Sequence, residues 1–110
     1  MKLPNGDTAI IDLRKLRNYC LSMDHPRGRH KAYVFGQVLR LTASESEILQ
    51  GALNEAASKE NASPGASDKY GDRYIIDFEM EHDGRRAKVR SSWIIRTGET
   101  APRFVTCFVL

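Results

Sequence analysis

The apolar residues in the first part of the chain recur with the period of an α-helix. Leu13, Leu16 and Cys20 lie three and four positions apart, and the side chain of Asp12 just before them is a favourable N-cap. Polar and charged residues fill the positions between them. This spacing predicts a first helix that ends near Leu21.

Two further helices follow from the same kind of pattern. Pro26 and Gly28 interrupt the chain, and the residues after them predict a second helix from about His30 to Arg40. Its buried side would carry Val34, Phe35, Val38 and Leu39. Thr42 followed by Glu45 is the pattern of a capping box, in which each side chain satisfies a free backbone N–H, and it predicts the start of a third helix.

The period of the pattern then changes from helical to two. Residues 59–71 contain almost no large apolar side chain, which is typical of a surface loop. Residues 73–81 and 85–95 alternate between apolar and polar, as half-buried strands do. Asp83 and Gly84 between them favour a two-residue hairpin turn. With this turn the apolar face pairs Met80 with Ala87, Phe78 with Val89, Ile76 with Ser91 and Tyr74 with Trp93, and the polar face pairs Glu79 with Lys88 and Asp77 with Arg90.

The elements together predict an α+β fold. Two or three N-terminal helices within about residues 12–58 would pack on a three- to four-stranded antiparallel meander sheet in residues 72–110, with a loop at residues 59–71. The last strand is residues 103–110, and a short fourth strand is expected at residues 8–11. A length of 110 residues fits one domain over the whole chain.

Composition narrows the class of protein. With 41% hydrophobic and 28% charged residues, the chain resembles a soluble globular protein, and no apolar run reaches the roughly 20 residues that span a bilayer. The first ten residues lack the apolar stretch of a secretory signal. We therefore expect a cytoplasmic protein without a membrane partner, and leave secretion by a dedicated system open. Cys20 and Cys107 lie among apolar neighbours and are expected to be small buried side chains.

Charge is distributed in three blocks along the chain. Residues 14–31 carry six Lys or Arg and one acid, residues 45–83 carry ten acids and three Lys or Arg, and residues 85–103 carry six Lys or Arg and one acid. If the two basic blocks lie side by side, they form one positive face suited to RNA or another polyanion. If they interleave with the acidic block, the charges neutralise each other instead.

No metal-binding, nucleotide-binding or hydrolase motif occurs, so we expect neither a metal nor a cofactor. Acid–base chemistry remains, and cleavage of RNA without a metal needs only a base, an acid and cations that neutralise the phosphate. His30 and Lys31 lie where the second helix should begin, with Arg27 and Arg29 just before them, and these four side chains could hold an anion. The alternative is a solvated loop and helix start.

Further candidates lie on the predicted sheet. Arg90 is a possible phosphate clamp or, opposite Asp77, one half of an ion pair, and Ser92 points to the same side of the sheet. Trp93 is either a platform for a base or a core residue, and Thr106 either offers its hydroxyl to a site or is an ordinary strand residue. Of the remaining histidines, we expect His25 to serve in a turn and His82 to face water.

Three stretches of the chain resemble the bacterial domain of unknown function 6883: HPRGRHKAYVF at residues 25–35, GRRAKVRSSW at residues 84–93 and RFVT at residues 103–106. Related domains resemble the C-terminal effector parts of large secreted bacterial toxins. The layout of helices followed by a sheet is similar to the barnase, EndoU, colicin and RelE group of small ribonucleases. This resemblance implies that Lys31, together with His30, Arg90, Trp93 and Thr106, lines a shared cleft.

Three hypotheses about function follow. The leading one is a ribonuclease-like or toxin-related domain that acts on RNA without a metal, with His30 as acid or base, Lys31 and Arg90 as phosphate clamps, and an immunity-type protein as partner. A different class is a non-catalytic module that binds protein or nucleic acid. The third is an enzyme that acts on another anionic small molecule. The first hypothesis requires the basic start of the second helix and the basic middle strand to meet.

Overall fold

The helices of the computed structural model, which describes residues 1–110, precede its sheet. Helix α1 (Leu13–Lys15) widens into a π-helical turn (Leu16–Cys20), and helices α2 (Arg29–Leu39) and α3 (Ser46–Lys59) follow. Single 3₁₀ turns lie at Gly6–Thr8 and Ala43–Glu45. The strands are β1 (Ser63–Asp68), β2 (Gly71–His82), β3 (Arg85–Arg96) and β4 (Arg103–Val109), in the sheet order β1-β2-β3-β4. The predicted α+β class, with N-terminal helices and an antiparallel meander, is confirmed.

The predicted helix starts are confirmed at the level of hydrogen bonds. The carboxylate of Asp12 accepts a hydrogen bond from the backbone N–H of Arg14 at 3.0 Å. Glu45 Oε1 accepts one from the backbone N–H of Thr42 at 3.1 Å, which is one half of the capping box. Each contact satisfies a donor that the first helical turn leaves unpaired. At the other end of α2, Arg40 adopts a left-handed conformation with φ of 55° and ends the helix.

The β2–β3 hairpin has the predicted register. All six predicted pairs are present, from Met80 opposite Ala87 to Tyr74 opposite Trp93. Asp83 and Gly84 both have positive φ, 51° and 74°, as a type I′ turn requires. The turn fixes the register of the two strands. This register places the apolar side chains of both strands on the same face of the hairpin, which packs towards the helices.

Trp93 is the largest fully buried side chain of the core beneath the hairpin. Its side chain is fully buried, and its ring meets that of Phe104 edge to face at a centroid distance of 5.6 Å. Trp93 Nε1 donates to Ser91 Oγ at 2.9 Å, and Ser91 Oγ donates to the carbonyl of Ile76 at 2.9 Å. Both buried polar groups are thus satisfied, which explains why a serine occupies a core position.

The prediction for the segment between helices and sheet was wrong. Residues 63–68, within the predicted loop 59–71, form the edge strand β1, and the sheet therefore begins before residue 72. All six residues of β1 are exposed, so it is held to β2 by backbone hydrogen bonds and by polar side-chain contacts such as the ion pair of Asp68 with Arg73. No apolar period therefore marks this strand. The fourth strand expected at residues 8–11 is only a single bridge between Ile10 and Arg103.

His82 lies at the junction of the hairpin and the helices, and the expectation that it faces water was wrong. Its side chain is only 15% exposed. Its Nδ1 lies 2.7 Å from the carbonyl oxygen of Leu39, and its Nε2 lies 3.2 Å from Glu45 Oε2. The end of α2 and the capping box of α3 therefore both contact the hairpin through one imidazole. None of the helices is long and apolar enough to cross a bilayer.

We expect the substitution His82→Ala to lower the free energy of unfolding by about 1–3 kcal/mol, because it leaves two shielded acceptors without their partner. Urea unfolding measures this change. The control is Arg85→Ala, the exposed register partner of His82, which should change the value by about 0.5 kcal/mol or less. Equal stability of the two variants would contradict the contact.

Candidate functional site

Lys31, on α2, is held by side chains from two other elements. Its Nζ donates a hydrogen bond to Thr106 Oγ1 on β4 at 3.1 Å and to Tyr19 Oη on the π-helical turn at 3.3 Å. The same ammonium lies 5.0 Å from the ring centroid of Tyr19 and 5.8 Å from that of Phe108, within the range of cation–π contacts. We call Lys31, Tyr19 and Thr106 the lysine site.

No carboxylate neutralises Lys31. The ion pairs of the structure involve other cations, and the partners of Lys31 are neutral hydroxyls and aromatic faces. Hydroxyls orient an ammonium without cancelling its charge. Because the side chain is also partly buried, where screening by water is weaker, its positive charge remains available to an anion.

A histidine turn leads the chain into α2 and so positions Lys31. His25 Nδ1 accepts hydrogen bonds from the backbone N–H groups of Arg27 and Gly28, each at 3.0 Å, which confirms its expected role in a turn. The imidazole of His25 also meets the ring of Tyr19 edge to face at 4.7 Å. The turn therefore fixes both the first residues of α2 and the aromatic ring beneath Lys31.

Gly28 permits the close approach of α2 to the π-helical turn. A Cβ atom at this position would lie 2.2 Å from the carbonyl oxygen of Tyr19, which is far below any normal contact. The φ of Gly28 is −83°, so the requirement is for space and not for an unusual backbone conformation. The wide turn itself is closed by a hydrogen bond from the N–H of Leu21 to the carbonyl of Leu16 at 2.9 Å. Turns of this type are rare and often occur at functional sites.

Two buried thiols lie beneath the lysine site. Cys20 and Cys107 are both fully buried, as expected, and Cys20 Sγ lies 3.8 Å from Thr106 Oγ1. A hydrogen bond with the Cys107 thiol is the main cause that lowers the pKa of Cys20 to about 6, assisted by the Cys107 backbone N–H, Thr106 and the charge of Lys31 and opposed by burial. The same contact, together with burial, raises the pKa of Cys107. One thiolate is thus favoured at Cys20.

Of the other predicted residues near the start of α2, His30 shares a hollow with Lys31, and Arg27 and Arg29 are near it in the sequence. His30 is exposed and borders, with Lys31, Val34, Phe108 and Val109, a shallow hollow of about 360 Å³. Arg27 and Arg29 are exposed and form no ion pair. The hollow therefore combines an apolar wall from β4 with a cationic rim from α2.

The predicted residues of β3 lie apart from this hollow. Arg90 forms a bidentate ion pair with Asp77, with N–O distances of 2.8 Å and 2.9 Å, and this contact raises the pKa of Arg90 and lowers that of Asp77. Arg90 is the register partner of Phe108, but it does not line the hollow. Ser92 is paired with Thr106 along the β3–β4 ladder, and Trp93 is in the core. The structure thus joins Lys31 with Thr106 and leaves Arg90 with Asp77. The basic middle strand therefore supplies no cation to the hollow beside Lys31, although the ribonuclease hypothesis required the two basic segments to meet there.

Sequence reasoning missed Tyr19 and the proximity of the two cysteines. Tyr19 occupies an ordinary position in the pattern of α1, and nothing in that pattern reveals the wide turn that turns it towards Lys31. Cys20 and Cys107 are separated by most of the chain. The one local signal was the abrupt sequence His25-Pro26 followed by Gly28, which marks a tight turn.

The chain matches a protein-family model and is similar in structure to a chain of known structure. The model of the family described as domain of unknown function (DUF6883) matches residues 2–110. No curated protein matches the sequence. A chain of the contact-dependent growth inhibition toxin–immunity protein complex from Klebsiella pneumoniae 342 is similar in structure, with a TM-score of 0.69 and 15% identity, over 92% of this chain and 99% of that chain. At this identity the likeness shows a shared fold.

We expect Gly28→Ala to destabilise the protein by about 1–3 kcal/mol, because the new methyl group forces α2 away from the carbonyl of Tyr19. Gly51→Ala is a matched control, since Gly51 lies in α3 with no atom within 4 Å of an added Cβ. This second change should stabilise by about 0.5–1 kcal/mol through helix propensity. Urea unfolding of both variants measures the contrast, and changes of the same sign would contradict it.

The thiol pair predicts an unusual titration. The ultraviolet absorbance of the Cys20 thiolate should rise as the pH increases through about 6. The substitution Cys107→Ala should move this rise towards the ordinary pKa of a thiol, about 8.5. Because the pKa of Cys20 is lower in the folded state than in the unfolded state, its contribution to stability is complete above pH about 8.5 and is lost as the pH falls through about 6. A wild-type titration in the ordinary range would refute the assignment.

Proposed function

The chain belongs to the domain of unknown function 6883 family, and we propose that it is a ribonuclease-like, toxin-related domain that binds RNA at the lysine site and cleaves it without a metal. The observation that carries this proposal is the partly buried ammonium of Lys31, which has hydroxyl partners and no carboxylate. Three cationic or protonatable side chains near Lys31 in the sequence add to its positive field: Arg27 in the turn before α2, and Arg29 and His30 on the first turn of α2.

The proposed reaction is an internal transesterification of the RNA backbone. A base removes the proton of the ribose 2′ hydroxyl, the resulting oxygen attacks the adjacent phosphorus, and the 5′ oxygen of the next nucleotide leaves with a proton from an acid. Lys31 neutralises the charge that develops on the non-bridging oxygens. His30, exposed on the rim of the hollow, has access to the leaving oxygen and serves as acid or base.

The hydroxyls of Tyr19 and Thr106 have a positioning role in this scheme. They hold the ammonium of Lys31 in one place, so that the phosphate meets an already ordered donor. Arg90, predicted as a second clamp, already has both of its bidentate donors on Asp77. We therefore assign the phosphate to Lys31 and give Arg90 the role of a more distant positive charge.

The likeness to a chain of a toxin–immunity complex supports a protein partner of the immunity type. We propose that such a partner would cover the hollow beside Lys31 and would carry acidic side chains that replace the phosphate. With RNA as its substrate, the domain is proposed to act in the cytoplasm. A non-catalytic RNA-binding module is the second candidate, because the reaction needs both a base and an acid and the lining of the hollow contains one histidine, His30.

Cleavage of total RNA in the presence of a metal chelator tests the proposal. We expect the wild-type protein to cleave, and Lys31→Ala or His30→Ala to lower the rate by about 100-fold or more. The control is Lys59→Ala, which removes an exposed cation that is paired with Glu55 on α3. Circular dichroism confirms that each variant is folded.

Binding separates the two candidates. If the wild-type protein binds RNA but does not cleave it, and Lys31→Ala reduces the dependence of affinity on salt by about one phosphate contact, the domain is a binding module. Wild-type behaviour of Lys31→Ala in both cleavage and binding would overturn the whole assignment.

A further inference from the structure

A second and larger concavity lies between the end of α1 and α2. It has a volume of about 640 Å³, and its lining comes from the π-helical turn, the segment after it, the flank of α2 and the segment before α3. Two large side chains in this lining are exposed: Met23, 58% exposed, and Tyr33, 56% exposed. We call this concavity the tyrosine groove.

Three polar side chains of the tyrosine groove are free to bind a ligand. The amides of Asn18 and Gln37 and the guanidinium of Arg17 line it, and none of the three forms a side-chain hydrogen bond or ion pair within the protein. Amide side chains offer a donor and an acceptor side by side, the arrangement that recognises the edge of a nucleobase. The groove also contains the carboxylate of Asp24. This negative charge opposes that of Arg17 and makes the groove less suited to a phosphate than to a neutral ring.

The tyrosine groove lies next to the lysine site across one ridge of α2. His30 and Tyr33 are three residues apart on the helix and are therefore neighbours on its surface, with His30 on the rim of the hollow beside Lys31 and Tyr33 in the groove. A strand of RNA whose phosphate rests at Lys31 would reach the groove by crossing this ridge.

We propose that the tyrosine groove binds a nucleobase of single-stranded RNA, adjacent to the phosphate held at Lys31, with the ring of Tyr33 as its stacking surface and Asn18 and Gln37 as donors and acceptors to its edge. This inference rests on the proposed function and adds a recognition element to it. Unpaired bases stacked on aromatic side chains and read by polar groups are the usual mode of sequence recognition in RNA. A double-stranded RNA presents no free base and should not enter.

A third concavity, of about 360 Å³, supports the choice of the tyrosine groove because its own lining is acidic. It lies between α3 and β2, and its lining includes the carboxylates of Glu55, Glu60, Glu79 and Glu81. Four negative charges would repel an RNA backbone there. Of the two, the tyrosine groove alone combines an exposed aromatic ring with neighbouring cations.

Fluorescence anisotropy with two probes tests the inference. The first is a labelled single-stranded oligonucleotide of about eight nucleotides with 2′-O-methyl riboses, which prevent cleavage, and the second is the same backbone without bases. We expect the wild-type protein to bind the first probe about tenfold more tightly than the second, and Tyr33→Ala to abolish this difference. Gln37→Ala should reduce the difference in affinity between the two probes. It should also change the relative affinities for single-stranded probes that each contain only one kind of base.

A matched control is available outside both the tyrosine groove and the hollow beside Lys31. Tyr70, in the β1–β2 turn, is 62% exposed and similar to Tyr33 in exposure, so Tyr70→Ala should leave both affinities unchanged. Lys31→Ala should instead weaken the binding of both probes equally, because each retains its phosphates.

The outcomes distinguish base binding in the tyrosine groove from phosphate binding and catalysis at Lys31. Equal affinity for the probes with and without bases, or an unchanged preference in Tyr33→Ala, would overturn the base-binding groove and leave phosphate binding at Lys31 intact. A preference that depends on Tyr33, in a protein that does not cleave RNA, would support the groove and remove the catalytic role. Binding of neither probe would overturn both.

Discussion

The contact between Gly28 and the backbone of Tyr19 determines where the functional groups of this protein lie. Without a Cβ atom, the chain before α2 passes directly against the π-helical turn, and the turn built on His25 then aims the first residues of α2 across that surface. From this position Lys31 reaches both Tyr19 and Thr106. A local steric requirement at one residue thus joins the end of α1, the start of α2 and the edge strand β4 into one site.

The two basic blocks of the chain differ in how many of their cations form ion pairs with acidic side chains. This difference decides where an anion would bind. Only Arg14 among the six cations of residues 14–31 has an acidic partner, whereas Arg86, Arg90 and Arg103 among the six of residues 85–103 each have one. Exposed ion pairs contribute little to stability, but they neutralise the charges they join. The unneutralised positive charge is therefore concentrated around the start of α2. Formal charge counts along the chain do not reveal this asymmetry.

The sequence was informative where one local rule decides the outcome. The Asp83-Gly84 turn and the alternation on either side specify the same hairpin register, and the caps at Asp12 and Thr42 specify helix starts. It failed where a stabilising partner lies far away in the chain. Strand β1 has no buried side and depends on backbone bonds to β2. His82 is fixed by a helix end and a cap that the hairpin meets only in the folded state.

The candidate site was also predictable only where a local signal in the sequence marks it, and not where a contact comes from a distant part of the chain. The sequence marks Lys31 as a cation at a helix start, and the resemblance to the family paired it with Thr106, but the ring and hydroxyl of Tyr19 come from a π-helical turn that no pattern in α1 announces. A chain of similar fold at 15% identity cannot supply this detail, because the fold fixes the layers and leaves the side chains free to vary. The chemistry therefore has to be inferred from the hydroxyls around one unneutralised ammonium. Those groups order a cation without consuming its charge, which is the arrangement that an anionic substrate requires.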